Sequence, residues 1–294
     1  MNLLILAGTS EASALAKHVG DAGIKAYLSY AGRVERTKPQ PIPKRLGGFG
    51  GVTGLCEYLE EEAVTHVIDA THPFAVQMSR NAVDACATLG LPLLGVERRP
   101  WLRKRGDFWV EVDSIAGAVD QLKRPKQRIM LALGRMHINA FGAHPHHHYL
   151  LRLVDQPASD ITLPDYHSIV SRGPFTVEDD IALLQNHAIE MLVSKNSGGS
   201  GAISKIEAAR ALSLPVIMIN RPPLLRERQE VENVKEAMEL AHFEERLTKF
   251  LAEDTRKGRG CFVDENDTDK GPCAKVAFLS DEGGPQSEVA RVNM

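Results

Sequence analysis

Short runs of β-branched and aliphatic residues alternate with helix-like segments along most of this chain, and that alternation limits the fold more than any single motif does. From the amino terminus the order is NLLILAG, a helix from Glu11 to about Val19, KAYLSYAG, a helix near Leu55 to Glu61, HVIDAT, a helix near Val76 to Thr88, and PLLGVER. Uninterrupted apolar strands are buried on both faces, and the helices between them supply the crossovers that parallel strands require. The expected class is α/β, with helices covering a parallel sheet.

The second half repeats the rhythm with RIMLALG, YLLRLV, SIVSRG, a helix from about Val177 to Gln185, EMLVSKN, a helix from about Ile203 to Leu212, and PVIMIN. Two segments align: GLPLLGVERRP follows DATHPFA much as SLPVIMINRPP follows VSKNSGG. Thr71 to Pro92 spans 92 − 71 = 21 residues and Lys195 to Pro215 spans 215 − 195 = 20. A duplicated half-domain with two strand-end loops facing one cleft explains this, and so does the general likeness of βαβ units. The sequence leaves both open.

A chain of 294 residues exceeds what one core usually needs, so two domains are expected, 1–125 and 126–250, with LKRPKQ as the linker. Just ahead of it, RPWLRKRGDFWVEVDS carries a basic cluster and a Trp-containing amphipathic strand. The Gly-rich polar stretch 251–294 lacks periodicity and is expected to be mostly disordered. The 35 Lys and Arg against 38 Asp and Glu leave no overall basic field to gather nucleic acid. Cys56, Cys86, Cys261 and Cys273 show no CxxC spacing, so neither a disulfide framework nor a zinc site is expected. No apolar run reaches the roughly 18 residues of a membrane-spanning helix, and the opening MNLLILAGTSEA reads as a strand, not a leader. A cytoplasmic location without membrane contact is expected.

Function is written at the strand ends, where ligands of open parallel sheets bind. In LLILAGTSEASALA, Gly8 allows a sharp turn, Thr9 or Ser10 can cap the helix, and free N–H groups can hold an anion. The single glycine is not the GxGxxG fingerprint, and helix capping alone explains it equally well. The second strand ends in SYAGRVER, without the acidic residue that favours NADH. Arg33, 33 − 8 = 25 residues after Gly8, suits a 2′-phosphate and so NADPH. The four glycines around Phe49 in RLGGFGGVTGL imply positive φ or close approach by a flat or phosphorylated ligand. In DATHPFA, Thr71 and His72 offer donors, with His72 a general acid, a hydrogen-bond donor to the cofactor, or a structural histidine. In VSKNSGGSGAISK, Lys195, Asn196 and Ser197 precede Gly198 and Gly199 in a donor-rich nest suited to carboxylates or phosphates. Arg172 marks another strand end in SRGPF. The histidines of GAHPHHHYLLRL alternate across an entering strand, which argues against their converging on a metal.

Together LAGTSEA, SYAGR, GGFGG, DATHPFA, RPW, RGPF and SKNSGG resemble the precorrin-6A reductase family of cobalamin biosynthesis, in order and spacing, from Met1 to about Leu225. The resemblance implies two Rossmann-like parallel-sheet domains with the active site in the cleft between them. It implies NAD(P)H-dependent reduction of one double bond of the tetrapyrrole precorrin-6A to give precorrin-6B. Some members act on the metal-free macrocycle and others on its cobalt complex, and the quoted motifs do not separate them. The expected cofactor is NADPH, held by Gly8, Thr9, Ser10, Arg33, Gly48, Phe49, Gly50, Gly51 and Thr71. Arg172, Lys195, Asn196, Ser197 and Gly198 are expected on the substrate carboxylates, with His72 as the candidate acid and no metal. Roles could be exchanged between the halves, and neighbouring corrin-pathway enzymes are candidate partners. The rivals are a short-chain dehydrogenase, for which no Tyr-x-x-x-Lys pair occurs, and a non-catalytic tetrapyrrole or nucleotide carrier.

Overall fold

The computed structural model describes residues 1–31, 39–154, 161–224, 228–240, 261–263 and 276–278. They belong to two compact units, Met1–Val234 and Lys235–Met294. In the second unit, residues 235–240 are helical, and strands β13 (Cys261–Val263) and β14 (Val276–Phe278) pair antiparallel. The rest of the 251–294 stretch lies outside the described residues.

The first unit holds two six-stranded parallel sheets. One contains β1 (Asn2–Ala7), β2 (Lys25–Tyr30), β3 (Lys44–Leu46), β4 (His66–Asp69), β5 (Leu93–Val96) and β12 (Gln229–Val231), in the order β12-β5-β4-β1-β2-β3. The other contains β6 (Phe108–Val112), β7 (Arg128–Ala132), β8 (His148–Leu153), β9 (Tyr166–Val170), β10 (Met191–Lys195) and β11 (Pro215–Ile219), in the order β6-β11-β10-β7-β8-β9. Superimposing β1 on β7 matches the two orders strand for strand, which is the doubly wound Rossmann arrangement twice over. The duplicated half-domain accounts for this identity of topology, whereas generic βαβ likeness does not require it.

Each sheet receives its sixth strand from a chain that has just left the other. Beyond β5 the chain passes through residues 97–107 into β6, which pairs with β11, and beyond β11 it passes through 220–228 into β12, which pairs with β5. The aligned GVERRP and MINRPP are the starts of these two crossings. LKRPKQ, by contrast, leads from helix α4 (Ile115–Asp120) to β7, with both neighbouring strands in the second sheet.

Burial explains the sequence pattern. All six residues of β1 are buried, as a central parallel strand requires, and α1 (Ser10–Asp21) turns Ala12, Leu15, Ala16 and Val19 onto the sheet. Helices α2 (Val52–Glu61) and α3 (Val76–Leu89) cover the other face, packing Leu55, Leu59, Ala82 and Cys86 on Leu4 and Leu6. The second sheet is sandwiched between one cluster with Leu131, Phe141 and Tyr149 and another with Trp101, Trp109 and Leu150. Helices α5 (Val177–Asn186) and α6 (Ser204–Ala211) pack on the latter. The segment after β7 is a 3-10 helix, Arg135–Ala143, that the periodicity did not reveal; its buried Ile138 and Phe141 repeat every three residues. Of the adjacent histidines only His148 lies in β8. His147 is fully buried, accepting from the Gln127 N–H at 3.1 Å and paired with the Leu122 carbonyl at 2.9 Å. Among the described residues, no group of His, Cys, Asp or Glu is placed to hold a metal ion.

Candidate functional site

In each sheet the strand order reverses between two central strands, β1 and β4 in the first and β7 and β10 in the second, and the loops leaving those strands flank a crevice. Contacts between loops bring the two crevices together. Phe74, after β4, packs on the second sheet's core, and the Lys195 Nζ at the end of β10 lies 4.7 Å from its ring centroid. Arg98, on the first crossing, pairs with Glu11 of α1 at 2.8 Å and donates to the Ser197 carbonyl at 2.7 Å. Burial opposes ionisation of Glu11, but the Arg98 guanidinium together with hydrogen bonds from its own backbone N–H and from Ser10 outweighs it and keeps the carboxyl below its ordinary value.

The β4 loop answers why VIDATHPFA turns polar. Asp69 is buried and accepts from the Thr71 N–H at 3.0 Å, from the Thr71 hydroxyl at 2.7 Å, and from Arg228. A Cβ on Gly95 would stand 2.4 Å from the Arg228 Nε, so the mid-strand glycine of β5 makes room for that guanidinium. Thr71 therefore gives its proton inward and presents oxygen lone pairs. The His72 Nδ1 accepts from the Phe74 N–H at 3.2 Å, which leaves the proton of a neutral ring on Nε2. Burial, together with the positive charges of Arg98, Lys195, Arg221 and Lys205, lowers the His72 pKa to about 3. At neutral pH this imidazole is a hydrogen-bond donor and carries no imidazolium proton to give away.

A cavity of about 260 Å³ opens at the ends of β1 to β4, lined by Gly8, Ser29, Tyr30, Gly48, Phe49 and Thr71 among others. Thr9 caps α1, accepting from the Ala12 N–H at 3.2 Å and donating to the Ala70 carbonyl at 2.7 Å, while the Ser10 hydroxyl meets Glu11 at 3.0 Å. Gly47, Gly50 and Gly51 hold φ of 115°, 82° and 101°, conformations that side chains resist, with open space where a Cβ would stand. Gly8 and Gly48 are not in that region.

Arg45, which the motifs did not single out, shapes this loop. Its guanidinium stacks 3.9 Å from the Phe49 ring centroid and donates to the Ser29 hydroxyl and to the carbonyls of Gly47 and Gly48. A Cβ on Gly54, inside α2, would stand 1.9 Å from the Phe49 carbonyl oxygen, which explains a glycine in a helix. The backbone cradle, the helix amino terminus and the cavity they border fit a dinucleotide. Arg33 lies outside the described residues.

A second, polar cavity of about 480 Å³ lies beyond Thr71 and His72 and is lined by Ser79, Glu97, Arg221, Arg228 and Glu230. Arg221 pairs with Glu97 at 2.8 Å, and Arg228 reaches Glu97 at 3.3 Å and Glu230 at 3.0 Å.

The loop after β10 is built differently. The Asn196 carboxamide accepts from the Trp101 N–H at 2.8 Å and donates to the Trp101 carbonyl at 2.9 Å. The Ser197 carbonyl accepts from Arg98 and from Arg221, and a Cβ on Gly198 would stand 2.2 Å from both Arg221 Nη2 and the Arg99 carbonyl oxygen. These residues hold the crossings to the second sheet. The Lys195 head group lies 2.9 Å from the Nε2 of His137 in the 3-10 helix. Arg172, at the end of β9, is exposed and donates to the Val154 carbonyl at 3.1 Å. Three strand spacings separate its strand from β10, about 14 Å along the same edge.

Residues 2–242 match the family model of the precorrin-6x reductases CbiJ/CobK. A precorrin-6A reductase of Rhodobacter capsulatus is 54% identical over 220 residues, covering 75% of this chain and 88% of that protein. A cobalt-precorrin-6A reductase of Priestia megaterium is 30% identical over 239 residues, covering 76% and 91%. The solved structure of a CobK precorrin-6A reductase shares 48% identity and superimposes with a TM-score of 0.78, covering 86% of this chain and 97% of its own. With the doubled Rossmann topology, these likenesses show that the chain belongs to the precorrin-6x reductase CbiJ/CobK family.

Proposed function

We propose that this protein reduces one double bond of the metal-free macrocycle precorrin-6A, giving precorrin-6B in cobalamin biosynthesis, with NADPH as the reductant. The observation that carries the reading is the contact of Phe74 with Lys195, which sets the cavity bordered by the glycine loop beside a cationic edge. The greater identity to the precorrin-6A reductase than to the cobalt-precorrin-6A reductase favours the metal-free substrate. On this reading residues 1–125 form the dinucleotide domain and 126–250 the tetrapyrrole domain, with edge strands exchanged between them.

When bound, the dinucleotide supplies a hydride, and the protein supplies position. Gly8, Thr9, Ser10 and the Gly48–Gly51 loop cradle its adenosine and phosphates at the ends of β1 to β3. Thr71 Oγ1 as acceptor and His72 Nε2–H as donor, on adjacent residues, complement a carboxamide such as that of nicotinamide. Arg172 and Lys195 offer two cations along one edge, a spacing suited to a flat macrocycle rimmed with carboxylates. Holding the two flat systems at reacting distance in a water-poor cleft is the main contribution to rate.

The test is NADPH oxidation by the purified protein with precorrin-6A, run beside NADH and beside the cobalt complex. Consumption of NADPH matched by a product two hydrogens heavier is the expected result. Tight macrocycle binding with no consumption of either nucleotide would replace the reductase by a carrier. Arg33→Ala should weaken NADPH far more than NADH, and equal losses would remove Arg33 from the 2′-phosphate site.

A further inference from the structure

We propose that Lys195 delivers the proton that accompanies hydride transfer and that His137 positions it. The inference rests on the reductase reading above. Reduction of a carbon–carbon double bond needs a hydride at one carbon and a proton at its conjugated partner. The hydride comes from the nicotinamide, and the proton needs a donor at the cleft.

The two residues arrive from opposite sides of the second sheet's switch point. Lys195 ends β10 and His137 lies in the first turn after β7, so the pair flanks the place where a ligand of that sheet would sit. Nζ is held 2.9 Å from His137 Nε2 and 4.7 Å from the Phe74 ring centroid, which fixes the ammonium at the seam where the loops of the two sheets meet.

The other polar groups at the seam are unsuited to the task. His72 is a neutral imidazole whose Nδ1 is already an acceptor. The Asn196 carboxamide is spent on Trp101. Arg98 and Arg221 are guanidiniums, which do not release protons. Lys205 is buried, donates to the Ala202 carbonyl at 2.7 Å and lies 4.8 Å from the Trp101 ring centroid, behind the crossing. Arg98, Lys195, Arg221 and Lys205 are the positive charges that act on His72, and His137 lies against Lys195 from the 3-10 helix.

The step balances. A Lys195 N–H bond breaks as a C–H bond forms on the macrocycle, the nicotinamide leaves oxidised by two electrons, and Lys195 is left as a neutral amine. Solvent restores the Nζ proton, while His137, half-buried beside exposed Arg135 and Met136, accepts through Nε2 and holds the amine in place.

Lys195→Arg separates proton delivery from carboxylate binding, because arginine keeps the charge and withholds the proton. The expected result is macrocycle binding, followed by tryptophan fluorescence, within about threefold of wild type, with single-turnover hydride transfer slowed roughly 10²-fold or more. Small primary amines should restore part of the rate in Lys195→Ala. His137→Ala removes the acceptor near Nζ and should slow single-turnover reduction with the macrocycle KM in place, and His137→Gln, which keeps an acceptor, should recover much of that rate. Wild-type rates in Lys195→Arg, or equal rates in His137→Ala and His137→Gln, would overturn the proposal. Should Lys195→Arg fail to fold, the two His137 variants and the wild-type solvent isotope effect decide, and absence of both effects rejects it. Failure of the wild type to oxidise either nucleotide would instead reject the reductase reading.

Discussion

The loops that follow β4 and β10 occupy equivalent positions in two sheets of one topology, and both look donor-rich in sequence, as DATHPFA and SKNSGG. They are used in opposite ways. After β4, Asp69 accepts from the Thr71 hydroxyl and the His72 Nδ1 accepts from the Phe74 N–H, and both Thr71 and His72 line the neighbouring cavities. After β10, the Asn196 carboxamide binds Trp101, the Asn196 and Ser197 carbonyls accept from Arg221 and Arg98, and Gly198 is closed in by Arg221 and Arg99, so that loop is turned to fastening the chain. Duplication supplied two crevices, and the exchange of edge strands then required one of them to hold the crossings in place. That division can be broken by substitution.

The largest effect is expected at Gly198. Its φ of 65° already disfavours a side chain, and the added methyl would strike a backbone carbonyl that cannot move aside without shifting the crossing. Gly198→Ala should cost about 3–5 kcal/mol in urea unfolding. Gly47→Ala, with a φ of 115° but open space around it, should cost about 1–2 kcal/mol. Similar losses at both sites would mean that the β10 loop is no more a fastening than the glycine loop is.

Asn196→Ala comes next. It leaves the buried N–H and carbonyl of Trp101 without their partners, so a loss of about 2–3 kcal/mol is expected. Dinucleotide affinity in the folded fraction should be unaffected. A variant of full stability that loses macrocycle affinity would return Asn196 to the substrate site.

The sequence made most of this architecture legible, because buried parallel strands leave uninterrupted apolar runs and their helices leave 3.6-residue periodicity. The strand exchange was not legible: β6 and β12 look like any other short strands, and nothing local records which sheet a strand joins. Thr71 and the glycine loop stood out because their chemistry is local. Arg45, Asp69, Arg228 and His137 did not, since each gains its meaning from a partner distant in the chain or in another element, as Arg228 does from Asp69. The aligned ERRP and NRPP are a visible trace of the crossings. Asn196 was misleading for the same reason, its partner Trp101 being 95 residues away.

The smallest effect per step, and the one that sharpens the role of the β4 loop, is the pH dependence carried by His72. Its folded pKa of about 3 lies below the ordinary 6.5, so between those values the unfolded chain binds the proton and the folded chain does not. Stability from this residue is therefore complete above pH 6.5 and declines as the pH falls toward 3, with a slope of about 1 kcal/mol per pH unit. His72→Gln cannot titrate, and carboxylates elsewhere titrate in both proteins. The wild-type curve should therefore fall away from the variant curve across pH 6 to 4 in urea unfolding, and parallel curves would show that the ring takes up protons freely. The same neutrality bears on catalysis: kcat/KM should show no limb near pH 6.5 attributable to His72, because a group that stays a neutral donor throughout that range has no charge to lose.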